Sequence, residues 1–423
     1  MDDACWFRRR NYLHFDSPVS FKKAEKLVTN PQTVSRHSFY PLISYTIDST
    51  KISKDKVTNQ ITKEPKKRPI SYPAHKDGHI YSYYSKLISQ HYEEKVNTVQ
   101  LSESILAFRQ LGKSNISFAK EAFDTIKEMG NCSVVALDIK SFFDTLDHKM
   151  LKEKWSKIIS ASSLPADHYS IYKSITQYSI VDKHRLYEEL GISKNNPKKS
   201  RHRLCLPNEF RETVRKKGLV ATNRAGKGIP QGTPISALLS NIYMIDFDIL
   251  MNEVVSEQGG KYFRYCDDML FITPTAYRDD VAGFVQSEII KLGLSIQTKK
   301  TERRTFSITP TGLQSDKPLQ YLGFTFDGER ILIRSSSLSR YSRKMKGGVK
   351  LAKKTMEKKN KERTEKNLPE KGIYKKNLYE RYSHLGKTNF ITYGHRAAKE
   401  MNSFHIKRQL SPLWKRLKDE IEK

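Results

Sequence analysis

Short apolar segments separated by charged ones organise the middle of this 423-residue chain. The run SVVALDI, residues 133–139, is continuous and rich in β-branched residues, which predicts a buried strand with Asp138 near its C-terminal end. Pro234 can start a helix, and the apolar positions after it recur at spacings of three and four, which predicts an amphipathic helix. These positions are Ile235, Leu238, Leu239, Ile242, Ile245 and Ile249.

Two hairpins are predicted after this helix. In the first, KYFRY and MLFIT flank Cys266-Asp267-Asp268. In the second, QYLGFTF and RILIR flank Asp327-Gly328-Glu329, where Asp-Gly favours a tight turn. A further helix near residues 279–292 separates the hairpins. The order of strand, helix, hairpin, helix and strand predicts an α+β fold with a ferredoxin-like (split βαβ) sheet and helices on one of its faces.

Two stretches of the chain are strongly basic. Residues 335–423 contain 25 Lys+Arg and nine Asp+Glu and are rich in helix formers, which predicts helices broken at Gly347-Gly348 and near Pro369. Residues 183–227 contain 13 Lys+Arg and four Asp+Glu with few regular apolar periods, which predicts an insertion or loop-rich segment. The simplest alternative for either stretch is a solvated helix face.

Composition narrows the class of protein. The 76 Lys+Arg exceed the 46 Asp+Glu by 30, which predicts a polyanionic partner. A content of 37% hydrophobic and 10% aromatic residues is too high for a disordered basic tail. Four cysteines without a CxxC pair indicate a reducing compartment. Because no segment is typical of a signal peptide or a membrane span, we expect a folded, cytoplasmic protein that binds nucleic acid.

Three acids are candidates for chemistry. Asp267 and Asp268 lie at the tip of the first predicted hairpin, and in a split βαβ sheet the strand that carries Asp138 lies beside that hairpin. Three convergent carboxylates repel one another unless cations bind, and oxygen ligands suit Mg²⁺. This arrangement predicts phosphoryl transfer with two Mg²⁺ ions, or Mn²⁺ in their place. The alternative is a pair of solvated turn acids plus an Asp138 that caps a helix.

Five segments in a fixed order are similar to motifs A to E of reverse transcriptases. Upstream segments resemble the fingers motifs of bacterial, group II intron and retron-like enzymes, so that the likeness covers about residues 60–335. HSFYPLI and RPISYPAHKDGHIYSYYSKL are most similar to the defence-associated reverse transcriptases of type 2. The five motif segments are LDIKSFFDTLDH, GIPQGTPISALLSNIY, RYCDD, the KKT that follows GLSIQT, and LQYLGF, and the upstream segments are KKRPISYP and AFRQLGKSN.

This resemblance implies a right-hand polymerase. Fingers would occupy residues 1–130, a ferredoxin-like palm residues 131–335 with the basic insertion at about 183–227, and a basic helical thumb residues 336–423. The implied activity is that of an RNA-directed DNA polymerase, a nucleotidyltransferase that copies a structured non-coding RNA into cDNA from dNTPs, with a role in anti-phage defence. We expect the insertion to bind structured RNA rather than the catalytic duplex.

The resemblance also assigns roles to single residues. Metal ligands would be Asp138, Asp267 and Asp268, together with the carbonyl of Ile139. Groups around the nucleotide would be Arg68 for the triphosphate, assisted by Lys67, Lys66 or Lys63, Phe143 as the steric gate against a ribose 2′-hydroxyl, and Gln231 beside the incoming base. The general acid would be Lys300, with its neighbour Lys299 as the alternative. The primer grip would be Tyr321, Leu322 and Gly323.

Several alternatives stay open from the sequence. Phe142 and Phe143 could both be core residues. The enzyme could synthesise DNA without a template or from a protein primer, as abortive-infection relatives do, or it could be an RNA-dependent RNA polymerase. It could also be a non-catalytic, maturase-like RNA-binding protein. The template, the priming group, the trigger and the oligomeric state are not determined by the sequence.

Overall fold

The computed structural model describes residues 5–54, 61–198 and 201–423. Its strands are β1 Leu42–Lys54, β2 Ile61–Tyr72, β3 Cys132–Asp138, β4 Ser179–Asp182, β5 Val220–Thr222, β6 Lys261–Tyr265, β7 Asp268–Thr273, β8 Glu302–Thr309, β9 Gly312–Ser315, β10 Leu319–Tyr321, β11 Phe324–Phe326 and β12 Ile331–Ile333.

The α-helices are α1 Phe21–Val28, α2 Pro31–Ser35, α3 His75–Thr98, α4 Asn115–Met129, α5 Phe142–Thr145, α6 His148–Ile158, α7 Ala166–Thr176, α8 Lys183–Glu189, α9 Pro207–Glu209, α10 Ser236–Glu257, α11 Arg278–Lys291, α12 Ser335–Thr364, α13 Lys376–Tyr382, α14 Phe390–Glu400 and α15 Phe404–Glu422. A π-helical turn covers Phe210–Arg215, and 3₁₀ turns cover Thr275–Tyr277 and Thr298–Lys300.

A five-stranded antiparallel sheet with the order β6-β7-β3-β8-β9 forms the centre of the molecule. Its first four strands have the predicted split βαβ order, which confirms the predicted α+β fold. The prediction of helices on one face is wrong. Val135 and Phe271 pack with α10 and α11, whereas Val134 and Leu270 pack with α4 and the C-terminal helices, because alternate side chains of these buried strands are apolar on both faces.

A second sheet, β10-β11-β12, follows the first. The segment QYLGFTF was predicted as one strand, but it divides into β10 and β11 around a two-residue turn at Leu322-Gly323. Both turn residues have positive φ, 44° and 96°, as a type I′ hairpin turn requires. The predicted turn at Asp327-Gly328 joins β11 to β12.

The basic segment 183–227 differs from the loop-rich insertion that the sequence suggested. It follows β4, which runs parallel to β1, and it contributes β5 to a four-stranded sheet of order β2-β1-β4-β5. Its apolar residues, among them Leu186 and Phe210, share a core with Phe15 and Ile43. The segment is therefore part of the structure built on the N-terminal hairpin, although it lies between motif A and motif B in the sequence. The division into fingers, palm and thumb stays a prediction.

Two helices also differ from their predictions. Helix α10 is buried nearly all round, with polar Asn241 and Asp248 in its buried set, so it is not amphipathic. Helix α12 continues through Gly347-Gly348, where a break was predicted. A Cβ atom on Gly348 would lie 2.6 Å from the Tyr382 hydroxyl, so this glycine allows α13 to approach α12 closely. The predicted interruption near Pro369 is present, since α12 ends at Thr364.

All four cysteines are free thiols, and three of them, Cys132, Cys205 and Cys266, are buried. In the part of the chain that the structure describes, no helix has both the length and the apolar character needed to cross a bilayer.

A fully buried ion pair joins α10 to the central sheet. The Arg264 guanidinium on β6 donates to both carboxylate oxygens of Asp248, from Nε at 2.7 Å and from Nη2 at 2.6 Å. Burial alone would lower the pKa of Arg264, but the Asp248 carboxylate raises it well above its usual value. The remaining nitrogen, Nη1, donates to the Asn241 side chain and to the Cys266 carbonyl, each at 3.1 Å.

The replacement Asp248→Asn should destabilise the protein strongly. It leaves the Arg264 charge buried without a counter-charge, which costs about 3–5 kcal/mol of the free energy of unfolding. The matched control is Glu253→Gln on the same helix, whose side chain is exposed and forms no ion pair among the described residues. Its cost should be about 0.5 kcal/mol or less. Urea unfolding followed by circular dichroism measures both, and equal costs would contradict a special role for the buried pair.

Candidate active site

Three carboxylates lie at the same end of the central sheet. Asp138 ends β3 and is the direct cross-strand neighbour of Asp268, which begins β7. Cys266, in the turn between β6 and β7, has a φ of 60°, and the Asp267 carbonyl after it accepts a 3.1 Å hydrogen bond from the Ile139 amide. The fold therefore brings together Asp138, Ile139 and the Asp267-Asp268 pair, which the sequence places more than a hundred residues apart.

Burial and mutual repulsion both disfavour the charged forms of Asp267 and Asp268. Asp268 stays exposed at the surface, yet partial desolvation of its carboxyl group and the charges of Asp267 and Asp138 raise its pKa to about 7. Burial, with a further contribution from Asp138, also raises the pKa of Asp267. Since a raised pKa means that the charged form is disfavoured, a positive charge beside these acids would stabilise that form.

One lysine supplies part of that charge. Lys300 Nζ lies 2.6 Å from each carboxylate oxygen of Asp138 and is 47% exposed. It comes from the 3₁₀ turn after α11, and the Gln297 amide of the same segment donates to the Asp138 carbonyl at 2.7 Å. No such contact joins the exposed Lys299 to the acids in the described part of the chain. Of the two candidate lysines, Lys300 is therefore the one beside the site.

The donor set fits a hard divalent cation in its chemistry. Carboxylate and carbonyl oxygens are the ligands that Mg²⁺ prefers, and the raised pKa values of Asp267 and Asp268 are those of acids whose charge a cation would stabilise. Within the described ranges, however, no three His, Cys, Asp or Glu side chains are gathered closely enough to hold an ion. The Lys300 ammonium occupies both oxygens of Asp138, so it has to leave before Asp138 can act as a ligand.

The two phenylalanines after β3 have different environments. They belong to the single helical turn α5, so their side chains do not alternate as they would on a strand. Phe142 is buried, whereas Phe143 is half-buried, with its ring centroid 5.6 Å from that of Phe142. The Phe143 carbonyl accepts a 2.8 Å hydrogen bond from the Ile229 amide. Phe143 is thus partly accessible and is tied to the segment that carries Gln231.

Gln231 lies where the N-terminal hairpin meets the central part of the molecule. Its carbonyl accepts a 2.8 Å hydrogen bond from the Ser71 amide at the end of β2. Gly232, with a φ of 107°, has no room for a side chain, since a Cβ atom would lie 2.6 Å from the Ser71 carbonyl oxygen and 3.0 Å from Ile70 Cγ2. The close neighbour of Gly232 is therefore strand β2.

This contact distinguishes the two cations of β2. Side chains alternate along a strand, so Arg68 shares a face with Ile70, and Lys67 points to the other face. Because Ile70 faces Gly232, Arg68 lies on the side of the Gln231 segment. Both cations are exposed. The side chains of Lys63 and Lys66, named as alternatives, lie outside the described part of the structure.

The predicted primer-grip residues form the β10–β11 turn and lie near the acids. Tyr321 is buried, and burial together with the charge of Asp268 raises its pKa. Its hydroxyl has no hydrogen-bond partner in the described part of the chain. The Asn115 side chain, at the start of α4, donates to the Leu322 carbonyl at 3.0 Å and to the Tyr393 hydroxyl of α14 at 2.9 Å. The turn is thus held between α4 and the C-terminal helices.

Three residues position the site without belonging to it and were not predicted from the sequence: Arg264, Asp248 and Asn115. The sequence did contain a sign that Arg264 and Asp248 are buried. Arg264 lies two residues after Tyr262, on the same face of an apolar strand, and Asp248 is an acid within an apolar helix. A buried Arg and a buried Asp require each other. No local pattern indicates Asn115, because its partners are distant in the sequence.

A family model and several solved structures are similar to this chain. The family model described as reverse transcriptase (RNA-dependent DNA polymerase) matches residues 54–326. No curated protein sequence matches the chain significantly. Apo telomerase from Candida tropicalis, truncated from its C-terminal domain, is similar at 13% identity and a TM-score of 0.42, over 67% of this chain and 55% of that chain.

Telomerase from Candida albicans, in complex with a TWJ fragment of telomeric RNA, is similar at 13% identity and a TM-score of 0.41, over 93% of this chain and 60% of that chain. The chain therefore spans a little over half the length of these two structures, and neither similarity is high enough to support an argument. The family model covers more than half of the sequence. The chain belongs to the reverse transcriptase family.

Proposed function

We propose that this protein is an RNA-directed DNA polymerase that extends a primer 3′-hydroxyl with dNTPs on an RNA template. The observation that carries the proposal is the cross-strand pairing of Asp138 with Asp268 at the end of the central sheet, beside Lys300 and the Tyr321–Gly323 turn. Nucleotidyl transfer needs acids that can bind metal ions, a proton donor and a turn that holds the primer strand, all in one place.

Asp138, Asp267 and Asp268, with the Ile139 carbonyl, would hold two Mg²⁺ ions. Bound there, Mg²⁺ would supply Lewis acidity toward the 3′-hydroxyl and the triphosphate. Arg68 binds the triphosphate through its planar guanidinium, and Gln231 borders the incoming base. The Lys300 ammonium, which lies 2.6 Å from Asp138 and would be released from it when Asp138 binds a metal, carries the proton that the leaving pyrophosphate takes up.

Phe143 excludes ribonucleotides in this proposal. A half-buried ring that packs against Phe142 and is tied by its backbone to Ile229 cannot swing away easily. It would therefore clash with a ribose 2′-hydroxyl. Phe142, which is buried in the core, has a structural role.

Primer extension on an RNA template tests the activity. Asp267→Asn should lower the extension rate by about a hundredfold or more, because one oxygen ligand and its charge are lost. Asp280→Asn removes an equal charge from an exposed position on α11 and should leave the rate within about twofold. Circular dichroism melting establishes that both variants fold.

The other outcomes of this assay separate the alternatives. Incorporation of mixed dNTPs without a template would replace our proposal with template-independent synthesis. Product that stays attached to the denatured protein would indicate protein priming. An unchanged biological activity of Asp267→Asn would identify a non-catalytic RNA-binding protein.

Phe143→Ala should reduce discrimination against NTPs. Removing the ring opens space for the 2′-hydroxyl, so the ratio of kcat/KM for a dNTP to that for the matching NTP should fall about tenfold or more. The neighbouring Phe142→Leu should change stability and leave this ratio unchanged. Single-nucleotide incorporation gives both ratios, and an unaltered ratio for Phe143→Ala would show that the gate lies elsewhere.

We further propose that the template is a structured non-coding RNA and that the enzyme acts in the cytoplasm in anti-phage defence, as type 2 defence-associated reverse transcriptases do. The support is the sequence resemblance together with the basic segment 183–227. Several of its cations are exposed and form no ion pair in the described part of the chain, as RNA phosphates would require. Examples are Arg185, Lys194, Arg201, Arg211 and Arg224.

RNA and DNA that copurify with the protein from cells test this finer proposal. Wild-type protein should carry one abundant structured RNA and cDNA complementary to it. Asp267→Asn should carry the RNA without the cDNA, because binding does not need the acid. Sequencing both nucleic acids decides the matter, and a broad mixture of cellular RNAs on the wild type would contradict a dedicated template.

A further inference from the structure

Arg334 lies at the junction between β12 and α12. Its amide donates to the Gly323 carbonyl at 3.1 Å, and the residue before it, Ile333, is the cross-strand neighbour of Phe324. Gly323 is the second residue of the turn assigned to the primer grip. The backbone of Arg334 is therefore fixed to that turn, so the position from which its side chain extends is defined.

The guanidinium of Arg334 lies close enough to the acids to act on the charge of Asp268, and it has no partner among the described residues. Its charge opposes the rise in the pKa of Asp268, as the charge of Lys300 does. Lys300 is bonded to Asp138, whereas Arg334 forms no ion pair among the described residues, and its Nε atom is buried without a hydrogen-bond partner. The buried Tyr321 hydroxyl also lacks a partner. Because Tyr321 is enclosed by the core, the half-buried Arg334 is the donor at this turn that a ligand with acceptor oxygens can reach.

The surroundings indicate which ligand this is. A cavity of about 910 Å³ adjoins the turn, and its lining includes Gly323 and Ile333, the residue before Arg334, together with four cations, Arg340, Lys344, Arg381 and Lys387. A group of cations suits a phosphodiester backbone, and a guanidinium binds a phosphate through two parallel hydrogen bonds. On a primer strand, the anionic group nearest to the 3′-hydroxyl is the phosphodiester between the last two nucleotides.

We propose that Arg334 is a primer-binding residue that holds this last phosphodiester and so sets the 3′-hydroxyl against Asp268. The inference rests on the proposed function, because it takes the strand at this turn to be the primer. It explains why a cation near Asp268 is left without a protein partner while Lys300 has one. Arg334 acts on the primer, and Arg68 acts on the triphosphate.

A cycle of protein and primer modifications tests the contact. The primer carries either a normal phosphodiester or a neutral methylphosphonate between its last two nucleotides, and fluorescence anisotropy measures its binding, annealed to RNA, without dNTPs. Arg334→Gln should weaken binding of the normal primer about tenfold, the worth of one charge-assisted contact. With the methylphosphonate primer, wild type and Arg334→Gln should bind equally within about twofold.

Three controls accompany the cycle. Arg343→Gln removes the same charge from an exposed position on α12, and it should change the affinity for both primers by the same factor. A methylphosphonate moved to the third phosphodiester from the 3′ end should leave the Arg334→Gln loss at about tenfold. Arg334→Lys keeps the charge without the paired donors, so it should bind with intermediate affinity, and it serves as the test variant if Arg334→Gln does not fold.

Equal losses for Arg334→Gln on both primers would overturn the inference, because Arg334 would then act only through the protein. This failure is distinct from failure of the proposed function. If the wild type extends the primer but Arg334→Gln weakens binding of both primers by the same factor, the Arg334 contact alone is wrong. If wild type binds the primer and shows the expected cycle but does not extend it, the contact holds and the proposed activity is wrong. Absence of primer binding by the wild type refutes both.

Discussion

The buried pair of Arg264 and Asp248 is the interaction on which the geometry of the site depends. Its guanidinium is fully enclosed and donates four hydrogen bonds, which reach helix α10, through Asp248 and Asn241, and the carbonyl of Cys266. The backbone of Arg264 also bonds to the segment at Ser104 and Leu106. One side chain thereby links a helix, a strand and the turn that carries two acids, and the desolvation of its charge is offset only if all these parts are in place.

Much of the central sheet was predictable because it depends on local pattern. Continuous apolar runs identified β3, and the segments around the Cys266–Asp268 turn identified β6 and β7 almost to the residue. The errors arose where tertiary packing decides. Helix α10 is buried nearly all round, a surrounding that the spacing of its apolar residues did not reveal. Gly348 does not end α12, since the approach of Tyr382 offsets the cost of a glycine inside a helix.

The candidate site likewise contains residues that were predictable from the sequence and residues that were not. Asp138, Asp267 and Asp268 were predicted because motif order and predicted strand pairing agree. Lys300 could be distinguished from Lys299 only by its contact with the distant Asp138. Arg68 could be distinguished from Lys67 only by the face of β2 on which it lies. The sequence shows neither, because each pair consists of adjacent residues with the same charge. Arg334 had no sequence signal, since an arginine in a basic region is unremarkable until its Nε atom is found buried and unpaired.

The strand order of the central sheet also determines when it can form. β3 is the middle strand, and Val135 pairs with Phe271 on one side and Arg303 on the other, both of which follow it far along the chain. Until β8 has been synthesised, this apolar strand has an unpaired edge. The chain between β3 and β6 meanwhile supplies β4 and β5 to the sheet of the N-terminal hairpin, which needs no later residues. The hairpin sheet can therefore be complete before the sheet that carries the acids, and ribosome-bound chains stalled short of β8 would be the species most prone to aggregation.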